Sequence, residues 1–339
     1  MSINKYIFST IGILIILFSL NSSYAEEEVN LYSARKEHLI KPIIEIFEKD
    51  TNIKVNLVTA KAGQLHQRLL QEGKNSPADI LLTTDAGNLW KAEEAGFFKA
   101  INSSFLINKI NKKYRNENNK WWGLSLRARI VVYNPKKING KELKGYKNLS
   151  NPIFKSRILI RSSGNIYNQS LVAHMIEKYG IESTEDWARG LVDNFAREPA
   201  GGDRDQIKAV VAGEGDIAVV NSYYFAKLLN SENNEIYKDL KVHFPKDDSM
   251  GVHLNLSGAG VMQNAPNSEN AIKFIEFLAS DKVQKIYSYV NFEYPVVSSV
   301  GVPDTLKVWG SFYPDDISTS AYGKNNKLAI QIADRVGWN

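Results

Sequence analysis

The sequence predicts an α/β protein whose two lobes flank a cleft. Short β-branched runs alternate with stretches whose apolar residues recur at helical spacing, which is the pattern of βαβ units. The pattern occupies residues 29–95 and starts again near Ser125. Two strand-like segments, 125–133 and 252–256, bracket the second set. If both cross between the lobes they form a two-strand hinge, and the cleft becomes the expected ligand site.

The first lobe is predicted to open with strands and helices in alternation. Strands over 29–32, 54–58 and 79–83 are separated by helical patterns over 39–47 and 64–71, and a further helix follows over 87–95. The lobe therefore belongs to the α/β class. We expect it to comprise residues 26–126 together with 253–302.

The second lobe is also predicted to be α/β, although its sequence does not repeat that of the first lobe. A strand over 157–160 precedes helices that begin at Tyr167, Thr184 and Arg204, and a strand over 216–220 follows. We expect this lobe to comprise residues 127–252 together with 303–339.

The N-terminus has the three parts of a secretory signal peptide. Lys5 precedes an apolar run over residues 7–20, and Ser23 and Ala25 supply the small residues before a cleavage site. We expect cleavage after Ala25, which removes residues 1–25 and directs the chain to the periplasm. The alternative is an N-terminal membrane anchor, but a run of about fourteen residues is short for a hydrocarbon core of roughly 30 Å.

Composition excludes several classes of function. The chain has no cysteine, hence no disulfide framework, thiolate metal site or lipidated anchor. Its net charge of +5 comes from scattered basic residues, which does not indicate nucleic-acid binding. No nucleophile elbow, zinc motif, dinucleotide fingerprint or P-loop occurs, so an enzyme is not expected. We expect a monomer that does not itself span a membrane.

Five groups of residues form a distinctive set through their order and spacing. They are Leu31-Tyr32-Ser33-Ala34-Arg35, residues 77–80 with 84–87, Arg127-Ala128-Arg129, Ser163-Gly164-Asn165 and Asn221-Ser222-Tyr223-Tyr224. Together they resemble the ferric-iron-binding proteins of bacterial iron ABC importers, a transferrin-like family. The resemblance implies a type II periplasmic-binding fold with a two-strand hinge and an interlobe cleft. It also implies a binding protein that captures Fe(III) and delivers it to an inner-membrane ABC permease.

The resemblance places the iron ligands at Tyr167, Tyr223 and Tyr224. Fe(III) is a hard cation that prefers anionic oxygen, and phenolate supplies it. A free phenol titrates near pH ~10, so binding must be coupled to proton loss. Asn221-Ser222 offers a strand-to-helix turn at which adjacent tyrosines can both reach one ion. The alternative is that one ring of the pair packs in the core while the other reaches solvent.

The first-lobe ligand is left open. One branch of the family has His-Tyr after the first arginine, where this chain has Lys36 and Glu37, followed by His38. Glu37 or His38 binds the metal, Tyr32 turns inward, or a small anion such as carbonate fills the position.

We favour the anion, held between Arg35 and Arg127, because guanidinium matches carbonate oxygens. Arg129 shares a strand face with Arg127 and is also placed toward the cleft. The alternative for these arginines is salt bridging.

Two further residues have local explanations. Asp85 follows a predicted strand at its carboxyl end, where α/β sheets present ligand contacts, but a cap of the next helix accounts for it equally. Gln64 is a cleft candidate or helix surface. A competing function is a type II binding protein for another small anionic solute, for which the turn Ser162-Ser163-Gly164-Asn165 is the best candidate.

Overall fold

The fold is taken from a computed structural model that describes residues 27–339. The predicted signal peptide, residues 1–25, lies outside the described residues. Among residues 27–339 there is no helix whose length and apolar character would let it cross a membrane.

The first lobe begins with the expected βαβ arrangement. Strand β1 (Glu28–Ser33) pairs in parallel with β2 (Lys54–Thr59) on one side and with β3 (Ile80–Thr83) on the other. Both intervening helices are therefore crossover connections. All three predicted strands and all three predicted helices are confirmed, with ends shifted by a few residues. The elements are β1 (Glu28–Ser33), α1 (Glu37–Thr51), β2 (Lys54–Thr59), α2 (Ala62–Glu72), β3 (Ile80–Thr83), α3 (Ala86–Glu94) and α4 (Ser104–Lys109).

The long strand β4 (Trp122–Tyr133) connects the two lobes. Its first half pairs with β8 (Leu254–Val261) and β9 (Tyr294–Pro295), and its second half pairs with strands of the second lobe. The returning chain runs beside it, because the Arg129 amide donates to the His253 carbonyl just before β8 begins. With β5 (Ile158–Leu159), β6 (Ile217–Asn221) and β7 (Lys241–His243) of the second lobe, the described residues contain one nine-stranded sheet. Its order is β2-β1-β3-β8-β4-β6-β5, with β7 and β9 also paired to β4.

The second lobe places helices on both faces of its part of the sheet. Strand β6 pairs in parallel with β5 and antiparallel with β4. Consecutive residues of β4 therefore face different cores: Ile130 and Val132 join the cluster that extends into the first lobe, and Val131 joins a separate one. The elements are β5 (Ile158–Leu159), α5 (Ile166–Tyr179), α6 (Ile181–Asp193), α7 (Asp203–Ala212), β6 (Ile217–Asn221), α8 (Ser222–Leu229) and β7 (Lys241–His243).

The C-terminal helices divide between the lobes. Helices α9 (Ser268–Leu278) and α10 (Asp281–Tyr289) pack on strands of the first lobe, whereas α11 (Asp304–Lys307) and α13 (Asn326–Arg335) pack on helices of the second. Helix α12 (Ser320–Lys324) lies between α3 and α5 and contacts both lobes. This packing supports our assignment of 253–302 to the first lobe and 303–339 to the second, whose exact limits stay a prediction.

A buried histidine pair lies where the lobes join. The Nδ1 atoms of His174 and His253 are 2.8 Å apart, so one ring donates to the other. The Tyr146 hydroxyl accepts from the His253 amide at 3.1 Å and donates to the Arg129 carbonyl. Asp315 lies 3.3 Å from Nε2 of His174. Burial lowers the pKa of His174, and burial together with the facing ring holds the pKa of His253 well below its usual range.

Acidification is expected to destabilise the ligand-free protein through this pair. Because both pKa values are lower in the folded chain, the unfolded chain binds more protons as the pH falls. The stabilisation is complete above about pH 6.5, the ordinary pKa of histidine, and declines below it. Thermal unfolding at about pH 7.5 and about pH 5.5 should therefore show a smaller loss for His253→Asn than for wild type.

The exposed His38 supplies the control. His38→Asn should keep the wild-type loss between the two pH values. An equal loss in His253→Asn and wild type would show that the buried pair does not titrate in this range.

Candidate metal centre

The three candidate tyrosines converge at the cleft edge of the second lobe. Tyr167 is the second residue of α5, and Tyr223 and Tyr224 follow the first residue of α8. The hydroxyls of Tyr167 and Tyr223 are 3.3 Å apart, and the rings of Tyr223 and Tyr224 have centroids 4.2 Å apart. The predicted strand-to-helix turn is confirmed, because β6 ends at Asn221 and α8 begins at Ser222.

Both lobes line the cavity that contains these tyrosines. Its volume is about 220 Å³, which suits a metal ion with a small anion better than a large organic solute. The first lobe and the crossing strands contribute residues far apart in sequence. The lining consists of Ala34, Arg35, Lys36, His38, Leu39, Thr84, Arg127, Tyr167, Arg204, Tyr223, Tyr224, Lys227, Ser257 and Glu293.

Guanidinium groups cover the faces of two tyrosines. The Cζ atoms of Arg127 and Arg161 lie 5.2 Å and 5.6 Å from the ring centroid of Tyr167, and that of Arg204 lies 5.5 Å from the ring of Tyr224. The cavity therefore places positive charge beside two of the three candidate ligands.

Without a metal the phenols of Tyr223 and Tyr224 are held in the protonated form. Burial raises the pKa of Tyr223 well above its ordinary value, and repulsion from Tyr167 and Tyr224 adds to the effect. Burial and the same neighbour Tyr167 raise the pKa of Tyr224 to about 12. A bound trivalent cation would lower these pKa values and favour the phenolates, because its own charge is the largest in the site.

Arg35 reaches the cavity but its charge is already paired. Its Nη2 atom lies 2.8 Å from a carboxylate oxygen of Glu293, and its guanidinium covers the Tyr287 ring at 4.8 Å. Sequence reasoning missed Glu293, which is 258 residues away and has no local pattern around it. Arg35 therefore lies at the cavity wall, as predicted, and is also salt-bridged, which was the alternative for this residue.

Arg127 lines the cavity and is also paired. It is 4 % exposed and donates to the Thr84 carbonyl, to Ser257 Oγ at 3.3 Å and to the carboxylate of Asp85 at 3.4 Å. Its Nε atom has no partner among the described residues, and neither has the Nε atom of Arg35. Arg35 and Arg127 therefore each keep one donor that no described residue accepts.

The expectation that Arg129 also lines the cleft is wrong. Arg129 is 1 % exposed, is absent from the cavity wall, and pairs with Asp203 at 2.8 Å. The two arginines share a strand, but β4 exchanges β8 for β6 as partner between Arg127 and Arg129. Beside β6 the shared face is covered by residues of α5 and α7, whose Asn168 and Asp203 accept from the Arg129 guanidinium, so Arg129 is buried inside the second lobe.

The candidate metal ligands of the first lobe differ in whether they line the cavity. Glu37 is an exposed residue at the start of α1, lies 4.0 Å from Lys41, and does not line the cavity. His38 does line it. Tyr32 is buried, its hydroxyl donates to Glu72 at 2.8 Å, and it does not line the cavity. Across residues 27–339 no three His, Asp or Glu side chains are grouped as a metal site.

The two remaining candidates have the local roles considered above. Asp85 caps α3, since it accepts from the Gly87 amide at 2.8 Å, and it also accepts from Ser170 and Asn255. Gln64 accepts from the Lys61 amide at the exposed start of α2. Lys227, a cavity residue that sequence reasoning missed, had a usable signal, because it lies one helical turn after Tyr223.

Comparison with known proteins places the chain in a family. Residues 75–312 match the family described as bacterial extracellular solute-binding protein. The chain belongs to this family. This solute-binding protein is 42% identical to iron uptake protein A1 of Synechocystis sp., over 92% of this chain and 88% of the relative.

Two solved structures extend the comparison. A Trichodesmium protein (IdiA, FutA) in complex with iron and citrate has 48% identity, a TM-score of 0.87, and covers 92% of this chain and 100% of its own. Ferric iron-binding protein A of Mannheimia haemolytica, in an open conformation, has 39% identity and a TM-score of 0.84, with 92% and 99% covered. The predicted family, two-lobed fold and non-enzymatic binding role are confirmed.

The Arg35–Glu293 contact generates a stability prediction. Glu293→Gln leaves a buried guanidinium without its counterion, so we expect a loss of about 3 kcal/mol in the free energy of unfolding. Glu235→Gln is the matched control, because Glu235 pairs with Lys238 in solvent and its loss should have little measurable effect. Urea unfolding of both variants measures the difference. Equal stability of the two variants would show that the buried contact is dispensable.

Proposed function

We propose that this solute-binding protein captures Fe(III) through the phenolate oxygens of Tyr167, Tyr223 and Tyr224. The observation that carries the proposal is the convergence of the three rings, with two hydroxyls 3.3 Å apart, in a cleft cavity of about 220 Å³. Phenolate is the hard anionic donor that Fe(III) prefers. Relatives named for ferric-iron binding support the choice of metal.

A small anion such as carbonate completes the coordination in this proposal. Arg35 and Arg127 each have an Nε donor without a partner among the described residues, and Lys36, Arg204 and Lys227 add positive charge around the same cavity. Of the first-lobe alternatives for the positions that three phenolates leave open, Glu37 and Tyr32 do not line the cavity, whereas His38 does. The citrate bound with iron in the Trichodesmium structure is an oxygen-donor anion of the same general kind.

Delivery to an inner-membrane ABC permease is the biological role we propose. The N-terminal signal pattern supports a periplasmic location, and the relatives include a ferric-iron-binding periplasmic protein of Serratia marcescens. The same cation-lined cavity also favours the competing candidate, an organic anionic solute bound without metal. Colour distinguishes the two, because phenolate bound to Fe(III) absorbs visible light.

Removal of a single phenol oxygen should abolish tight iron binding. Tyr223→Phe and Tyr224→Phe each keep the ring, so the stability of the iron-free protein should change by less than about 1 kcal/mol. We expect Fe(III) affinity to fall by more than about 100-fold, since loss of an outer-shell partner alone costs about 10- to 100-fold. Competition against a chelator and the visible charge-transfer band provide the measurements.

Tyr179→Phe is the matched control, because the Tyr179 hydroxyl contacts Asp247 in the second lobe and does not line the cleft cavity. It should bind Fe(III) as wild type does. Normal iron binding by both cleft variants would exclude tyrosine ligation. A colourless wild type that binds an organic anion tightly would favour the competing function.

The anion should make iron binding sensitive to bicarbonate. Removing bicarbonate is expected to weaken Fe(III) binding or shift the visible band in wild type, and Arg127→Ala should reduce that sensitivity. Glu37→Gln should bind as wild type, because Glu37 lies outside the cavity wall. Titration of each protein with Fe(III), with and without bicarbonate, gives the answer.

The opposite pattern identifies a protein ligand. If Glu37→Gln abolishes tight binding while bicarbonate has no effect, the carboxylate reaches the metal and the anion is not required. Acid should release iron under either outcome, because protons compete for the phenolates.

A further inference from the structure

A buried guanidinium lies behind the three tyrosines. Arg129, on β4, is 1 % exposed and extends into the second lobe. Its Nη1 atom donates to Asp203 at 2.8 Å and to Asn221 at 3.3 Å, and its Nη2 atom donates to Asn168 at 2.6 Å. All three acceptors are themselves buried.

Each of the two asparagines adjoins a candidate ligand. Asn168 directly follows Tyr167 on α5, and its amide group also donates to the Arg161 and Ser162 carbonyls, which lie just before that helix. Asn221 ends β6, one residue before the helix that carries Tyr223 and Tyr224. One guanidinium therefore joins the start of α5 to the start of α8.

Asp203 extends this connection to the cations around the tyrosine rings. The oxygen that accepts from Arg129 also accepts from the Asn221 amide at 2.7 Å. The other oxygen accepts from Arg161 at 3.2 Å, and Arg161 covers the Tyr167 ring. The next residue along α7, Arg204, covers the Tyr224 ring.

We propose that Arg129 and Asp203 are a positioning pair that sets the separation of Tyr167 from Tyr223 and Tyr224. The inference rests on the proposed tyrosine ligation of Fe(III). Guanidinium is planar and presents its donors in a rigid fork, so it holds two helix starts at one distance. A lysine keeps the charge but not the fork. The pair touches no metal and acts through the residues that carry the phenols.

Stability alone is a poor reason for this pair. Burying two charges costs desolvation that their attraction often only offsets, and apolar replacements of buried ion pairs are frequently neutral or stabilising. Geometric control of three ligands drawn from two helices gives the pair a function that an apolar cluster would lack.

Arg129→Lys tests the proposal. We expect Fe(III) affinity to fall by about 10- to 100-fold, the range for partners that orient metal ligands, and the visible band to shift in position and lose intensity. Arg157→Lys is the matched control, because Arg157 pairs with Asp216 at 2.8 Å in the same lobe and lies outside the cavity wall. It should retain wild-type affinity and band, whatever its melting temperature.

A milder pair of variants applies if Arg129→Lys does not fold. Asn168→Ala removes one acceptor of the fork, and Asn194→Ala is its control, since the buried Asn194 also bonds two backbone carbonyls of the second lobe. Only Asn168→Ala should weaken Fe(III) binding and shift the band.

The outcomes separate this inference from the proposed function. Wild-type affinity and band in Arg129→Lys or, where it does not fold, in Asn168→Ala would overturn the positioning role, provided that the tyrosine variants lose iron. Wild-type iron binding in Tyr223→Phe and Tyr224→Phe would instead overturn tyrosine ligation itself, and the positioning role with it.

Discussion

The continuity of β4 is the constraint on which the two-lobed arrangement depends. This strand belongs to both parts of the sheet, so its residues have fixed positions relative to both lobes. Arg127 lies where β4 still pairs with β8 and faces the cleft, whereas Arg129 lies where β4 pairs with β6 and is buried. The cavity wall and the interior of the second lobe are thereby built from one short stretch of backbone.

The electrostatics of the cleft are balanced for an ion that is not part of the chain. Burial and repulsion from neighbouring tyrosines hold Tyr223 and Tyr224 in the neutral form, while Arg127, Arg161 and Arg204 place positive charge over the rings of Tyr167 and Tyr224. A bound metal cation would lower the raised pKa values of the phenols, and an accompanying anion would offset the positive charge of the arginines. This combination explains how a cavity rich in arginine and lysine is compatible with metal binding.

The two lobes contribute unequally to the site. The second lobe supplies all three phenols, on helices whose starts are both hydrogen-bonded to Arg129, so the proposed ligands have a common support. The first lobe supplies Arg35 with its partner Glu293, together with His38 and Thr84, at the opposite wall. An ion held first by the second lobe would gain its remaining contacts when the first lobe closes over it.

The sequence by itself determined the alternation of strands and helices, the turn before Tyr223 and the candidate tyrosines, because these depend on local patterns and on motifs in a fixed order. Tertiary structure alone decided which side chains meet. Glu293 reaches Arg35 from 258 residues away, and the partner exchange along β4 sends Arg129 inward although strand alternation places it beside Arg127. Periodicity describes one element at a time, whereas pairing across the sheet sets the surroundings of each side chain.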